Sequence, residues 1–111
     1  MNFSGSIQGK TLDIVIRGDL IGEDFGPELV ELANNAIRKK VLFCLVDISD
    51  TKYINSSGIG VLITLLTKFK NQGGNLFLIN PSDHVQKLLQ ITKLKSIFEV
   101  ELSKEVALKR I

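Results

Sequence analysis

The sequence predicts an α/β fold: one domain over residues 1–111, with a mixed, mostly parallel sheet, an N-terminal β-hairpin and the order β-β-α-β-α-β-α-β-α. Three observations predict it. Two N-terminal stretches, the second clearly alternating in polarity, flank Gly9, which is the pattern of an antiparallel hairpin. The apolar runs at 41–46 and 76–79 are too short for most helices, and strands that are apolar throughout belong to sheets covered by helices on both faces. Between and after these runs, apolar residues recur at helical spacing. Strands that alternate with helices pair in parallel through right-handed crossovers.

In the hairpin, Leu12, Ile14 and Ile16 share one face of the second strand, with Asp13 and Arg17 opposite and Val15 the exception. Gly18, Gly22 and Gly26 then punctuate a segment read as a loop, which carries Asp19, Glu23 and Asp24. Pro27 suits the first turn of a helix, where its missing N–H costs nothing. Leu29, Ala33, Ala36 and Ile37 follow at helical spacing, and Arg38, Lys39 and Lys40 stand at the end that the helix dipole makes favourable for cations. After the 41–46 strand, Ile59, Leu62, Ile63, Leu66 and Phe69 mark one face of a second helix, stopped by Gly73 and Gly74. The strand at 76–79 is followed by a third helix capped near Ser82, with Val85, Leu88 and Leu89 turned inward. A short edge strand at 97–100 and a last helix capped by Ser103, carrying Val106, Ala107 and Leu108, complete the chain.

Composition excludes several classes. With 14 basic and 12 acidic residues the net charge is only +2, spread along the chain, so direct nucleic-acid binding lacks its basic footprint. One cysteine, Cys44, permits no intramolecular disulfide, and with a single histidine no metal-ligand spacing exists. Cys44 lies mid-strand in an apolar run and reads as structural. No apolar run approaches the ~20 residues of a membrane span, and the first ten residues lack a signal-peptide core. These features describe a cytoplasmic domain without membrane insertion and without a cofactor.

In an open α/β sheet, ligands and partners meet the carboxyl ends of the strands. The segment leaving the central strand, residues 47–60 (Asp-Ile-Ser-Asp-Thr-Lys-Tyr-Ile-Asn-Ser-Ser-Gly-Ile-Gly), is therefore the most informative. Asn55, Ser56 and Ser57 precede the second helix, and one of them is its cap. Gly58 and Gly60 each cost about 1 kcal/mol of helix propensity relative to alanine. They leave the helix start bare, so that another backbone or molecule can approach. The plainer reading is that Asn55 and Ser56 only cap the helix and that the glycines allow tight packing on the sheet. No phosphate-loop pattern is present, and Ser56 has no nucleophile elbow. Asp47 lacks the acidic partners a phospho-accepting aspartate needs. His84 opens a helix without an orienting carboxylate, as a solvated residue would.

The stretch Asp47-Ile48-Ser49, continued by Tyr53-Ile54-Asn55-Ser56-Ser57-Gly58-Ile59-Gly60-Val61-Leu62, resembles the signature of the STAS domain, and in particular the small bacterial anti-sigma-factor antagonists. Arg17-Gly18-Asp19-Leu20 before the first helix, Gly73-Gly74 before a Leu-Phe-Leu-Ile strand, and the ending 95–100 agree with it in order. The resemblance implies partner switching. The unphosphorylated antagonist binds an anti-sigma factor that has serine kinase activity and so frees a sigma factor; phosphorylation switches the antagonist off, and a metal-dependent serine phosphatase resets it. It implies no catalytic residue in the antagonist itself. On this resemblance Ser56 is the phosphoacceptor, with Ser57 the second choice. The expected partner-binding residues are Asp19, Glu23, Asp24, Asn55, Ser56, Ser57, Gly58 and Gly60, an acidic rim beside a small-residue surface. Asn55 stands where the family usually has aspartate, which keeps the capping oxygen and loses the charge. The alternative is a non-phosphorylated STAS subunit of a transport complex or sensory scaffold; a small enzyme or nucleotide-binding domain lacks a catalytic constellation.

Overall fold

Alternation and periodicity resolve into a five-stranded sheet in the computed structural model, which describes residues 2–111; Met1 lies outside the described residues. The elements are β1 (Asn2–Gln8), β2 (Thr11–Arg17), α1 (Gly22–Arg38), β3 (Phe43–Asp50), α2 (Ser56–Asn71), β4 (Asn75–Ile79), α3 (Asp83–Ile91), β5 (Glu99–Glu101) and α4 (Lys104–Leu108), with a 3-10 turn at Leu94–Ser96. The sheet order is β1-β2-β3-β4-β5; β1 runs antiparallel to β2 and every other pair is parallel. The expected order of strands and helices is the observed one.

Cross-strand register sorts the side chains into two faces. Leu12, Cys44 and Leu76 stand in one row, and Ile14, Val46, Leu78 and Val100 in another. These rows meet Leu29, Ala33 and Ala36 of α1, Leu62, Leu65 and Phe69 of α2, and Val85 and Leu89 of α3 in the main core. Burying a side chain of this size is worth about 1.5–3 kcal/mol, so this layer dominates stability. The opposite rows run Asp13, Leu45, Phe77, Glu99 and Val15, Asp47, Ile79, Glu101. There Leu45, Phe77 and Ile79 are covered by Ala107 of α4, and the Arg110 guanidinium lies 5.1 Å from the Phe77 ring centre. Helices on both faces, as the apolar runs implied, are thus present but unequal. Three helices cover one face and a single five-residue helix patches the other.

Several boundaries differ from expectation, each for a tertiary reason. The first helix begins at Gly22, not at Pro27, and Pro27 sits inside it. Glu23, Asp24 and Gly26 therefore belong to its first turns and not to a loop, because Gly22 packs against the start of α2. The segment 97–98 is not strand: its N–H groups donate to the Leu94 carbonyl at 2.9 and 3.1 Å, and Phe98 turns into the core. The strand at 41–46 begins only at Phe43 and continues to Asp50. In α4 only Ala107 is buried, while Val106 and Leu108 are exposed. Ser82 and Ser103 cap α3 and α4 as expected, accepting from the Val85 and Val106 N–H groups at 3.3 and 3.2 Å.

Candidate functional site

Because β2 and β3 are parallel neighbours, the segments leaving them emerge side by side. They are tied residue by residue. The Gly18 N–H donates to Asp50 Oδ2 at 3.0 Å, and the Thr51 hydroxyl donates to the Gly18 carbonyl at 2.9 Å. Leu20 forms a parallel bridge with Ile54: its N–H donates to the Tyr53 carbonyl at 3.0 Å, and its carbonyl accepts from the Asn55 N–H at 3.2 Å. Asp19 adds a side-chain tie, its Oδ1 accepting from the Lys52 and Tyr53 N–H groups at 3.3 and 3.1 Å. Asp19 is therefore engaged in holding the two segments together, although it remains exposed.

Asn55 is the node of the site. It is the N-cap of α2, and its Oδ1 accepts from the Gly58 N–H at 2.8 Å. The same oxygen accepts from the Gly22 N–H at 3.2 Å. The residue before α1, Ile21, has no side chain that could cap it, so Asn55 supplies a cap to two helices at once. The two helix starts can approach this closely only because position 22 is glycine: a Cβ there would fall 2.4 Å from the Ser57 carbonyl carbon.

Glu23, in the first turn of α1, reaches across the junction. One carboxylate oxygen, Oε2, accepts from the Ser57 hydroxyl at 2.6 Å and from the Asn55 side-chain amide at 2.9 Å. These donors, Ser57 first, then Asn55, then its own N–H, hold the Glu23 carboxyl below the ordinary carboxylate range. The Ser57 hydroxyl also lies 3.0 Å from Asn55 Oδ1. Ser57 is half-buried and fully engaged, whereas Ser56, the first residue of α2, is exposed and its hydroxyl meets no partner among the described residues.

The two glycines of α2 play different parts. Gly58 is buried, and a Cβ on it would meet the Leu20 carbonyl oxygen at 2.4 Å, so the backbone that approaches it is the protein's own. Gly60 is exposed with nothing near its missing Cβ. Asp24 is also exposed, and its carboxylate meets no donor among the described residues. The structure thus gathers Asp19, Glu23, Asn55, Ser56 and Ser57 at one corner, leaves Asp24 and Gly60 on the surface near it, and takes Gly58 into the packing. Reasoning from sequence missed two members. Gly22 gives no local sign that it faces another helix, and Tyr53, a residue 55% exposed beside the site, reads in the sequence as part of a motif and not as a surface.

Other candidates are placed elsewhere. Cys44 is fully buried, and burial, reinforced by the Asp13 charge, pushes its thiol pKa far up, so it stays protonated. His84 is exposed in the first turn of α3. Asp47 turns back on its own strand, where Oδ1 accepts from the Ser49 N–H and hydroxyl at 2.9 and 2.7 Å. Among the described residues no cluster of three or more His, Cys, Asp or Glu side chains could hold a metal ion, and no helix is long and apolar enough to cross a membrane.

Comparison with known proteins fits this geometry. The chain is 36% identical over 78 residues to the anti-sigma-B factor antagonist of Bacillus subtilis, an alignment that covers 70% of this chain and 67% of that protein. Its fold superposes on a candidate anti-sigma factor antagonist of Thermotoga maritima with a TM-score of 0.87 at 20% identity, covering 98% and 93% of the two chains. SpoIIAA, an anti-sigma factor antagonist, matches in its unphosphorylated form with a TM-score of 0.74 at 18% identity, covering 98% and 96%, and in its phosphorylated Bacillus form with 0.69 at 19%, covering 98% of each. Residues 7–107 match the STAS domain, a span that holds the end of β1, strands β2 to β5, the three core helices and the Asn55 junction. With that span matched and the sheet order, helix placement and central motif all in agreement, the chain belongs to the STAS domain family.

Proposed function

We propose that this chain is an anti-sigma factor antagonist that binds an anti-sigma factor with serine kinase activity, releases a sigma factor, and is switched off by phosphorylation of Ser56. The observation that carries the reading is the state of the two serines: Ser56 stands exposed at the first position of α2 with a hydroxyl that meets no partner among the described residues, while Ser57 is bound to Glu23 and Asn55. Support comes from the relative named as an anti-sigma-B factor antagonist and from SpoIIAA, which exists in phosphorylated and unphosphorylated forms.

The physical consequence of the modification is local. A phosphate adds a charge of roughly −1.5 to −2 and three acceptor oxygens. At a helix N-terminus that charge is favourable to the domain itself, so the fold persists. A partner docked over Ser56, Gly60, Tyr53 and Asp24 would instead meet new bulk and an unpaired dianion. Asn55 lacks the charge of the aspartate that the resemblance leads one to expect, but Glu23 places a carboxylate 2.9 Å from its amide, so the corner keeps a negative charge. A metal-dependent serine phosphatase would complete the cycle by resetting the antagonist.

The test is phosphopeptide mapping after incubation with ATP and the kinase recovered by pull-down from native cell extract. Phosphate on Ser56, lost in Ser56→Ala, supports the reading. Phosphate found only on Ser57, or only on Thr51, which is buried and donates to the Gly18 carbonyl, would overturn the assignment. Ser56→Ala should then bind the kinase constitutively, and Ser56→Asp weakly. Absence of any kinase in the pull-down and of any phosphate would favour a STAS subunit of a transport complex or sensory scaffold.

A further inference from the structure

The structure assigns to Glu23 a part of its own: it is the specificity-determining residue that decides which of the two adjacent serines can carry a phosphate. The inference deepens the phosphorylation reading and rests on it. Ser57 is not simply the neighbour of Ser56. Its hydroxyl donates to Glu23 Oε2 at 2.6 Å, and the same oxygen receives the Asn55 amide at 2.9 Å, while Asn55 Oδ1 receives the Gly22 and Gly58 N–H groups. Two helix starts are thus joined through one oxygen of Glu23 and one of Asn55. The junction has no spare room, since even a methyl group at position 22 would collide with the Ser57 backbone.

A phosphate on Ser57 would set a dianion against the Glu23 carboxylate at hydrogen-bond distance and remove the hydroxyl donor that the carboxylate uses. Like charges in contact repel, and the junction would open. A phosphate on Ser56 meets neither obstacle. The side chain is exposed, its hydroxyl has no partner among the described residues, and it lies at the positive end of α2, where the N–H groups of the first residues have no intrahelical acceptor. Charge, and not sequence position alone, therefore separates two serines that look equivalent in the sequence.

The experiment needs no kinase, so its failure is distinct from failure of the phosphorylation reading. Phosphoserine is incorporated genetically at position 56 or 57 of the full chain, and thermal unfolding is followed by circular dichroism. Phosphoserine at 56 should leave the midpoint within about 2 °C of the unmodified protein, and phosphoserine at 57 should lower it by roughly 5–10 °C, given the usual slope of about 4 °C per kcal/mol for a domain of this size. The decisive variant is phosphoserine 57 combined with Glu23→Ala. If Glu23 is the cause, the second change restores at least half of the lost midpoint, although Glu23→Ala alone removes two hydrogen bonds. A Glu23 that is only structural would make the two losses add. Additive losses, or equal shifts for positions 56 and 57, would overturn the inference. Should the phosphoserine 57 protein fail to fold, recovery of folding on adding Glu23→Ala decides it in the same way, and no recovery refutes it.

Discussion

Replacing Asn55 by alanine should be among the most costly single polar-to-alanine changes in this protein, and its cost can be worked from the contacts. Asn55 Oδ1 caps α2 through the Gly58 N–H at 2.8 Å, and loss of an asparagine cap costs about 1 kcal/mol, within a range of 0.5–2. The same oxygen receives the Gly22 N–H of α1, in a part-buried junction, and an orphaned donor there adds about 1 kcal/mol. The expected total is about 2 kcal/mol. Unfolding entropy of about 2.1 cal/mol/K per residue gives this chain about 0.23 kcal/mol/K, so the midpoint should fall by about 9 °C. Ser103→Ala is the internal reference, because Ser103 caps only the short, exposed α4 through one N–H. It should cost about 0.5–1 kcal/mol, the lower part of the range for cap removal. The assay is urea unfolding of both variants, with the slope checked against the unmodified protein so that a changed denatured state is not mistaken for lost stability. If Asn55→Ala costs no more than Ser103→Ala, the double-capping role is refuted.

Further outcomes concern the same corner and the docking surface proposed on it. Gly58→Ala should destabilise by about 2 kcal/mol or more, because its methyl would overpack against the Leu20 carbonyl, whereas Gly60→Ala, in open space within α2, should stabilise by up to about 1 kcal/mol; thermal unfolding of the pair distinguishes packing from exposure. If α2's start is the docking surface, Gly60→Ala should nevertheless weaken kinase binding. Asp24→Lys should slow association with the kinase and reduce its salt sensitivity, since rim charges act mainly on the on-rate. Glu99→Lys, whose carboxylate pairs with Arg110 at 2.7 Å on the far strand of the sheet, should leave association unchanged, and equal effects in stopped-flow binding would show that the docking surface lies elsewhere.

Sequence alone determined the order of elements and the identity of the informative segment, because both are written in local patterns. Period-two alternation in β2, the apolar runs of β3 and β4, helical spacing in α1 to α3, and Ser82 and Ser103 at the caps of α3 and α4 all depend on residues close in the chain. The Asn-Ser-Ser-Gly stretch was legible for the same reason, as a helix start with two glycines too many. Topology also implied that the segments leaving the hairpin and the central strand surround the start of the second helix, and the tertiary structure decided which atoms meet there. That Gly22 starts a helix follows from an oxygen on Asn55, 33 positions away. That Glu23 binds Ser57 and not Ser56 follows from the register in which the parallel pairing of β2 with β3 sets the two segments, and no local pattern records which side chains then face each other. The same holds for Gly58 and Gly60. Identical residues two positions apart look alike in a sequence, yet a helix turns about 100° per residue, so one faces the Leu20 carbonyl and the other faces water.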